Sequence, residues 1–136
     1  GRKSAHQITP AMKNTFIGLI AIVVLASSCG TSLNLPAERQ ALFDLRDQQF
    51  QPQYDKLRQV RNNIQIQGRQ LSPAEEAFLQ RMNTLDAQFV EWESELYQLD
   101  ESLPRKEARE KLEAAKAGFS ALMDSTEAMF RGYPFQ

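Results

Sequence analysis

Between Phe78 and Leu103 the residues Phe78, Met82, Leu85, Phe89, Trp92, Leu96, Leu99 and Leu103 recur at alternating steps of four and three. That spacing places all of them on one stripe of an α-helix, whereas a strand would change face at every residue. A stripe of this kind is a heptad seam, and it needs a partner helix to bury it. Ala108, Leu112, Ala115, Phe119, Leu122, Thr126, Met129 and Tyr133 form a second stripe, interrupted only by Thr126. Small Ala108 and Ala115 leave room for large residues opposite. An earlier stripe is less regular. Phe43, Phe50, Leu57, Val60 and Ile64 keep register, but Arg46 and Gln53 stand where apolar residues should fall. Leu42 and Leu45 indicate that the first half of this segment turns a different face inward.

The boundaries follow from local chemistry. Ser72-Pro73-Ala74-Glu75 is a capping box with proline at the first helical position, where the missing N–H costs nothing. Pro36 and Pro104 open two further helices in the same way. Gly68 supplies a left-handed residue to end the first helix, and Gly132 with Pro134 ends the third. Pro52 lies inside the first helix, removes a backbone donor and predicts a kink near residues 48 to 52. The expected helices run over about 36–67, 73–101 and 104–131. Loops this short force neighbours to run antiparallel. The expected fold class is therefore all-α: an antiparallel up-down-up three-helix bundle over residues 36–136, with its first helix kinked near Pro52.

The N-terminal quarter reads differently. Met12, Lys13, Asn14 and Thr15 precede eleven residues without a charge, Phe16 to Ala26, and then Ser27, Ser28 and Cys29. A short basic start, a short apolar run and a small-residue exit describe a secretory signal peptide over 12–28, since a membrane-crossing helix needs roughly 20 apolar residues. Leu25-Ala26-Ser27-Ser28-Cys29 resembles the lipobox of bacterial lipoprotein precursors, with the expected leucine displaced by one position because Ala26 stands three before the cysteine. The resemblance implies that the Cys29 thiol receives diacylglycerol and that its amine, as the new N-terminus, is acylated. Gly30 is not the aspartate that in such lipoproteins of Gram-negative bacteria commonly retains the protein at the inner membrane. The implied location is the outer membrane, facing the periplasm. Residues 29–35 become a lipidated tether, and residues 1–11 an upstream extension or a remnant of cloning.

Charge and composition exclude more than they assign. The leader removes Arg2, Lys3 and Lys13 from sixteen basic residues and none of the seventeen acids, leaving 13 against 17 and a net charge of about −4. A weakly acidic chain without a basic run offers no footprint for nucleic acid. His6, the only histidine, also leaves with the leader, and Cys29 is the only cysteine. The usual general base, a cysteine nucleophile and zinc patterns built on those ligands are then missing, and so are the Glu-x-x-His of di-iron bundles and a glycine-rich phosphate loop. Glu91 and Glu95 stand one turn apart, as a pair holding a hard cation would, but one helix supplies too few oxygens to enclose it. The expectation is no catalytic residue, no metal, no small-molecule substrate and no cofactor beyond the lipid on Cys29.

Apolar residues outside the stripes are candidates for partner binding. Val90 and Tyr97 lie seven apart on a shoulder of helix two, and Met123 and Phe130 lie seven apart on a shoulder of helix three. Left exposed, they form a groove at the interface of helices two and three; otherwise they widen the core. The favoured function is a lipid-anchored, non-enzymatic interaction or scaffold protein that binds another envelope protein. In architecture it resembles the helical pilotin lipoproteins, which escort secretin subunits. The alternative is an envelope chaperone or stress sensor, because QLSPAEEAFLQRM, residues 70 to 82, resembles the Leu-Thr-x-x-Gln element of Spy-type periplasmic chaperones. Ser72 replaces the threonine, and Glu75 or Glu76 stands near the glutamine position.

Overall fold

Ser72 and Glu75 exchange the two hydrogen bonds their spacing predicts. The Ser72 hydroxyl accepts from the Glu75 N–H at 3.1 Å, and the Ser72 N–H donates to Glu75 Oε1 at 2.8 Å. The computed structural model describes residues 33–133. The leader, Cys29, most of the tether and the last three residues lie outside the described residues. The described chain is all-helical: α1 (Leu35–Leu45), a π-helical turn (Arg46–Phe50), α2 (Gln51–Ile66), α3 (Pro73–Tyr97) and α4 (Arg105–Gly132). No strand occurs among the described residues, and no helix among them is long and apolar enough to cross a membrane. Because α1, the π turn and α2 follow without a break, three helical runs result.

Gly68 closes the first run at φ +66°, a conformation that costs glycine little and other residues more. The α3 helix stops at Tyr97, four residues short of the expected Glu101. Asp100 is the reason: its carboxylate accepts the Ser102 N–H at 2.9 Å and the Ser102 hydroxyl, an Asx turn that competes with helix continuation. The Leu99 carbonyl is taken by the Arg39 guanidinium at 2.5 Å. Pro104 caps α4, and the Ala108 N–H donates to its carbonyl at 2.8 Å.

The core draws on all three runs. Phe78, Met82, Leu85, Phe89, Trp92, Leu96 and Leu99 are buried along α3 and its end, and Ala108, Leu112, Ala115, Phe119, Leu122, Thr126 and Met129 along α4. Leu103 and Tyr133 are half-buried. Thr126 is tolerated in the interior because its hydroxyl donates to the Leu122 carbonyl at 2.7 Å.

The first run departs from a single heptad stripe. It buries Leu35, Glu38 and Leu42 in α1, then Phe50, Tyr54, Leu57 and Ile64, while Phe43 and Val60 are only half-buried. Around the π turn the inward face passes from half-buried Leu45 to Phe50, a step of five, where a heptad allows three or four. The Gln51 N–H reaches back to the Arg46 carbonyl, the i→i+5 bond of a π turn, immediately before Pro52, which has no N–H to give. One additional residue is thereby absorbed, and the inward faces of α1 and α2 align despite their offset in sequence.

Contacts between the runs pair rising numbers with falling ones. Phe43 meets Tyr97, Arg46 meets Glu93, Phe50 meets Phe89 and Tyr54 meets Asp86. Trp92 meets Ala115 and Phe119, Gln88 meets Ser125, and Phe78 meets Tyr133. Glu38 of α1 approaches Lys116 of α4 at 3.7 Å.

Candidate interaction site at the π turn

Large apolar side chains that stay in solvent are few. Among the described residues Ile66, Val90 and Tyr97 are the exposed large hydrophobics, with Val90 at 65 % and Tyr97 at 63 %. Tyr97 is not isolated: its ring centroid lies 4.9 Å from that of half-buried Phe43, tilted by 44°. Phe43 in turn carries the Arg46 guanidinium 4.8 Å above its ring. Arg46 opens the π turn, so the same insertion that aligns the core faces places this cation between α1 and α3.

Arg46 ties the corner together. Its Nη1 donates to Glu93 Oε2 at 2.7 Å and its Nε to Asp47 Oδ1 at 2.8 Å. Burial works against the charge, yet hydrogen bonds to Asp47, Tyr97 and Glu93 outweigh it and hold the guanidinium more firmly protonated than usual. The Arg46 side chain is 17 % exposed against 60 % for Asp47, so the corner turns a carboxylate outward and keeps its cation inside. Two turns before Glu93 on α3, Asp86 accepts from Arg61 Nη1 of α2 at 2.5 Å and from the Tyr54 hydroxyl. Burial, followed by the bond to Asp86, pushes the Tyr54 phenol up to about 12.

The four candidate shoulder residues do not line one groove. Tyr97 packs on Phe43 of α1, and Val90, seven residues earlier, shares its stripe, so both lie on the α1 side of α3. Met123 and Phe130 follow Lys116 at steps of seven and are half-buried, on the flank of α4 that approaches Glu38 of α1. The opposite flank of α4 faces α3: a Cβ on Gly118 would touch Trp92, one on Gly132 would touch Arg81, and Ser125 reaches Gln88. A cleft of about 320 Å³ between α3 and α4 is walled by Arg81, Thr84, Gln88 and Ser125 over Leu85 and Met129. None of Val90, Tyr97, Met123 and Phe130 contributes to it. Val90 and Tyr97 thus stand exposed on α3, and Met123 and Phe130 half-buried on α4. A stripe spaced by seven shows which residues travel together, but the flank on which a neighbour sits depends on the handedness of packing.

Sequence reasoning placed Phe43 in a core stripe and treated Arg46 as a defect in it. The conflict between the Leu42, Leu45 set and the Phe43, Phe50 set was the available signal. Lys116 carried no signal of its own. Glu91 and Glu95 are both exposed, and among the described residues no group of three or more metal-ligating side chains comes together. Cys29, the expected lipidation site, lies outside the described residues. No family model matches the chain, and no curated protein or solved structure shows significant similarity to it.

Proposed function

We propose that the chain is a lipid-anchored, non-enzymatic helical interaction module of a bacterial envelope, held at the periplasmic face of the outer membrane through diacylglycerol and an N-acyl chain on Cys29. The observation that carries the interaction reading is the exposed Tyr97 ring resting on Phe43 beside the π turn. Tyrosine in such a setting offers a large, rigid contact area with a polar tip, and π turns recur at functional positions. Around it Arg46 and Arg39 are engaged within the fold, while the carboxylates of Asp47, Asp100 and Glu101 stay exposed.

The finer architecture belongs to the same proposal: an antiparallel up-down-up bundle with coiled-coil-like seams and a first run bent at residues 46–52. Its support is the descending order of the contacts between the first run and α3 and between α3 and α4. The π turn before Pro52 supports the bend.

Two experiments test the reading. Protein extracted from membranes should have an intact mass that begins at Cys29 and includes acyl chains. Retention of residues 12–28 on the wild-type protein defeats the anchor. Affinity capture with the full lipidated chain should recover an envelope partner that Tyr97→Lys loses, with thermal stability within about 1 kcal/mol of wild type, as for surface positions. Unchanged capture by Tyr97→Lys defeats the interaction site.

A further inference from the structure

We infer that the Phe43–Tyr97 corner docks a short cationic segment of its partner, with an arginine or lysine laid against the Tyr97 ring and a second basic side chain in the adjoining cavity. The inference rests on the interaction reading above and adds the chemistry of the occupant. Four carboxylates surround the corner, Asp47, Glu93, Asp100 and Glu101, and the two guanidiniums among them are already engaged: Arg46 with Asp47 and Glu93, Arg39 with the Leu99 carbonyl. Asp47, Asp100 and Glu101 are exposed while Arg46 and Arg39 are half-buried, so at this corner the carboxylates face outward and the two guanidiniums inward. An exposed electron-rich ring in a negative field attracts a cation twice, through its face and through the carboxylates.

The neighbouring cavity fits the second side chain. It holds about 150 Å³ between the start of α1 and the residues that follow Tyr97, lined by Leu35, Pro36 and Leu99 together with Asp100 and Glu101; Arg39 also lines it, turned to the Leu99 carbonyl. Apolar walls under a carboxylate rim suit the methylene stem and charged head of lysine or arginine. In an extended segment, side chains two residues apart lie on one face about 7 Å from each other, so neighbouring basic residues of a short segment can address the ring and the cavity together. The footprint of one aromatic pair and one small cavity falls far below the roughly 800 Å² per partner of a stable protein dimer, which favours a short segment over a second copy of the chain. Anionic headgroups would be repelled.

The test is a titration of the isotope-labelled full chain with a peptide alternating arginine and alanine, and with its counterpart carrying glutamate for each arginine. The arginine peptide should shift the amide signals of Phe43, Tyr97, Asp100 and Glu101, and its affinity should fall with added salt. It should weaken at least tenfold in Tyr97→Ala and measurably in Glu101→Lys, a change at an exposed position that leaves the Asp100–Ser102 turn intact; unchanged melting temperatures of both variants exclude unfolding. Equal binding of the glutamate peptide, shifts confined to another surface, or undiminished affinity of Tyr97→Ala overturns the inference. So do shifts at the corner that grow with protein concentration alone, because a second copy is then the occupant. If Tyr97→Lys loses its envelope partner while the arginine peptide fails to bind, the interaction reading stands and the cationic occupant falls. If Tyr97→Lys keeps its partner, the reading itself has failed.

Discussion

Trp92 Nε1 donates a 2.8 Å hydrogen bond to the main-chain carbonyl of Ala115, and the indole reaches that carbonyl across Gly118, where a Cβ would stand 2.9 Å from Trp92 Cδ1. A glycine in the middle of a helix costs about 1 kcal/mol relative to alanine, yet here it admits the largest side chain of the core. The pair joins α3 to α4 at the level where Phe89, Trp92 and Phe119 form an aromatic cluster.

Gly118→Ala should therefore destabilise the protein despite its better helix propensity. Overpacking costs roughly 1–3 kcal/mol and propensity returns about 1, so a net loss of up to about 2 kcal/mol is expected in urea denaturation. Trp92→Ala removes both the ring and its bond and should cost on the order of 3–5 kcal/mol. In the double variant the alanine methyl meets a void, so the two losses should combine to less than their sum. Additive losses would show that Gly118 has no bearing on the indole.

The π turn predicts an asymmetry between deletion and insertion. The inward faces of α1 and α2 are offset by one residue, and the exposed Gln48 lies within the turn that absorbs it. Deleting Gln48 should convert the turn to ordinary α-helix, keep both faces inward and leave stability within about 1 kcal/mol, the range of surface changes. Inserting one alanine there rotates one half by about 100° relative to the other and should cost several kcal/mol, because Leu35 and Leu42, or else Leu57 and Ile64, leave the core. Equal effects of the two changes would contradict the register argument.

The same turn marks where the sequence stopped being legible. The capping box at Ser72, the glycine stop at Gly68 and the stripes of α3 and α4 are local patterns in which propensity, capping and burial agree. Phe43 and Arg46 could not be placed that way, because a heptad count assumes one register and the chain uses two. The shoulder residues are a different case. Spacing assigned Val90 with Tyr97 and Met123 with Phe130, but only packing decides that Tyr97 rests on Phe43. Asp100 was read as part of a helix because its competing bond to Ser102 depends on the conformation after the helix, which periodicity does not encode.

Stability should fall at both ends of the pH scale through identifiable groups. Arg69 beside Glu75, helped by the Ser72 N–H, holds that carboxyl at about 2 against an ordinary 4.5. A depressed acid stabilises the fold above its unfolded pKa and loses that contribution as pH falls from 4.5 to 2. Tyr54, raised to about 12 from 10.0, works in the opposite sense: its contribution is complete below pH 10 and is lost as pH rises from 10 to 12. Glu75→Gln should flatten the acid limb of a stability-against-pH curve, and Tyr54→Phe the alkaline limb. Unchanged limbs in these variants would assign the losses to other groups.

Glu38 and Lys116 make the sharpest case for a double-mutant cycle. Each side chain is only 9 % exposed, their closest charged atoms are 3.7 Å apart, and Glu38 Oε1 is buried without a hydrogen-bond partner. Lys116 divides its charge, standing 3.3 Å from the exposed Glu113. Two charges removed from water at such a separation recover little of their desolvation cost, while removing only one strands the other. Lys116→Met should therefore cost about 3–5 kcal/mol, the magnitude for breaking a buried pair by removing one partner. Glu38→Leu should cost less, because Lys116 keeps Glu113 as a partner. Glu38→Leu combined with Lys116→Met should bring stability back to wild type or above, since apolar replacements of similar volume often equal or exceed a buried ion pair. Chemical denaturation of the three variants decides the matter. A double variant as unstable as Lys116→Met would mean that the pair is a net stabilising link between α1 and α4.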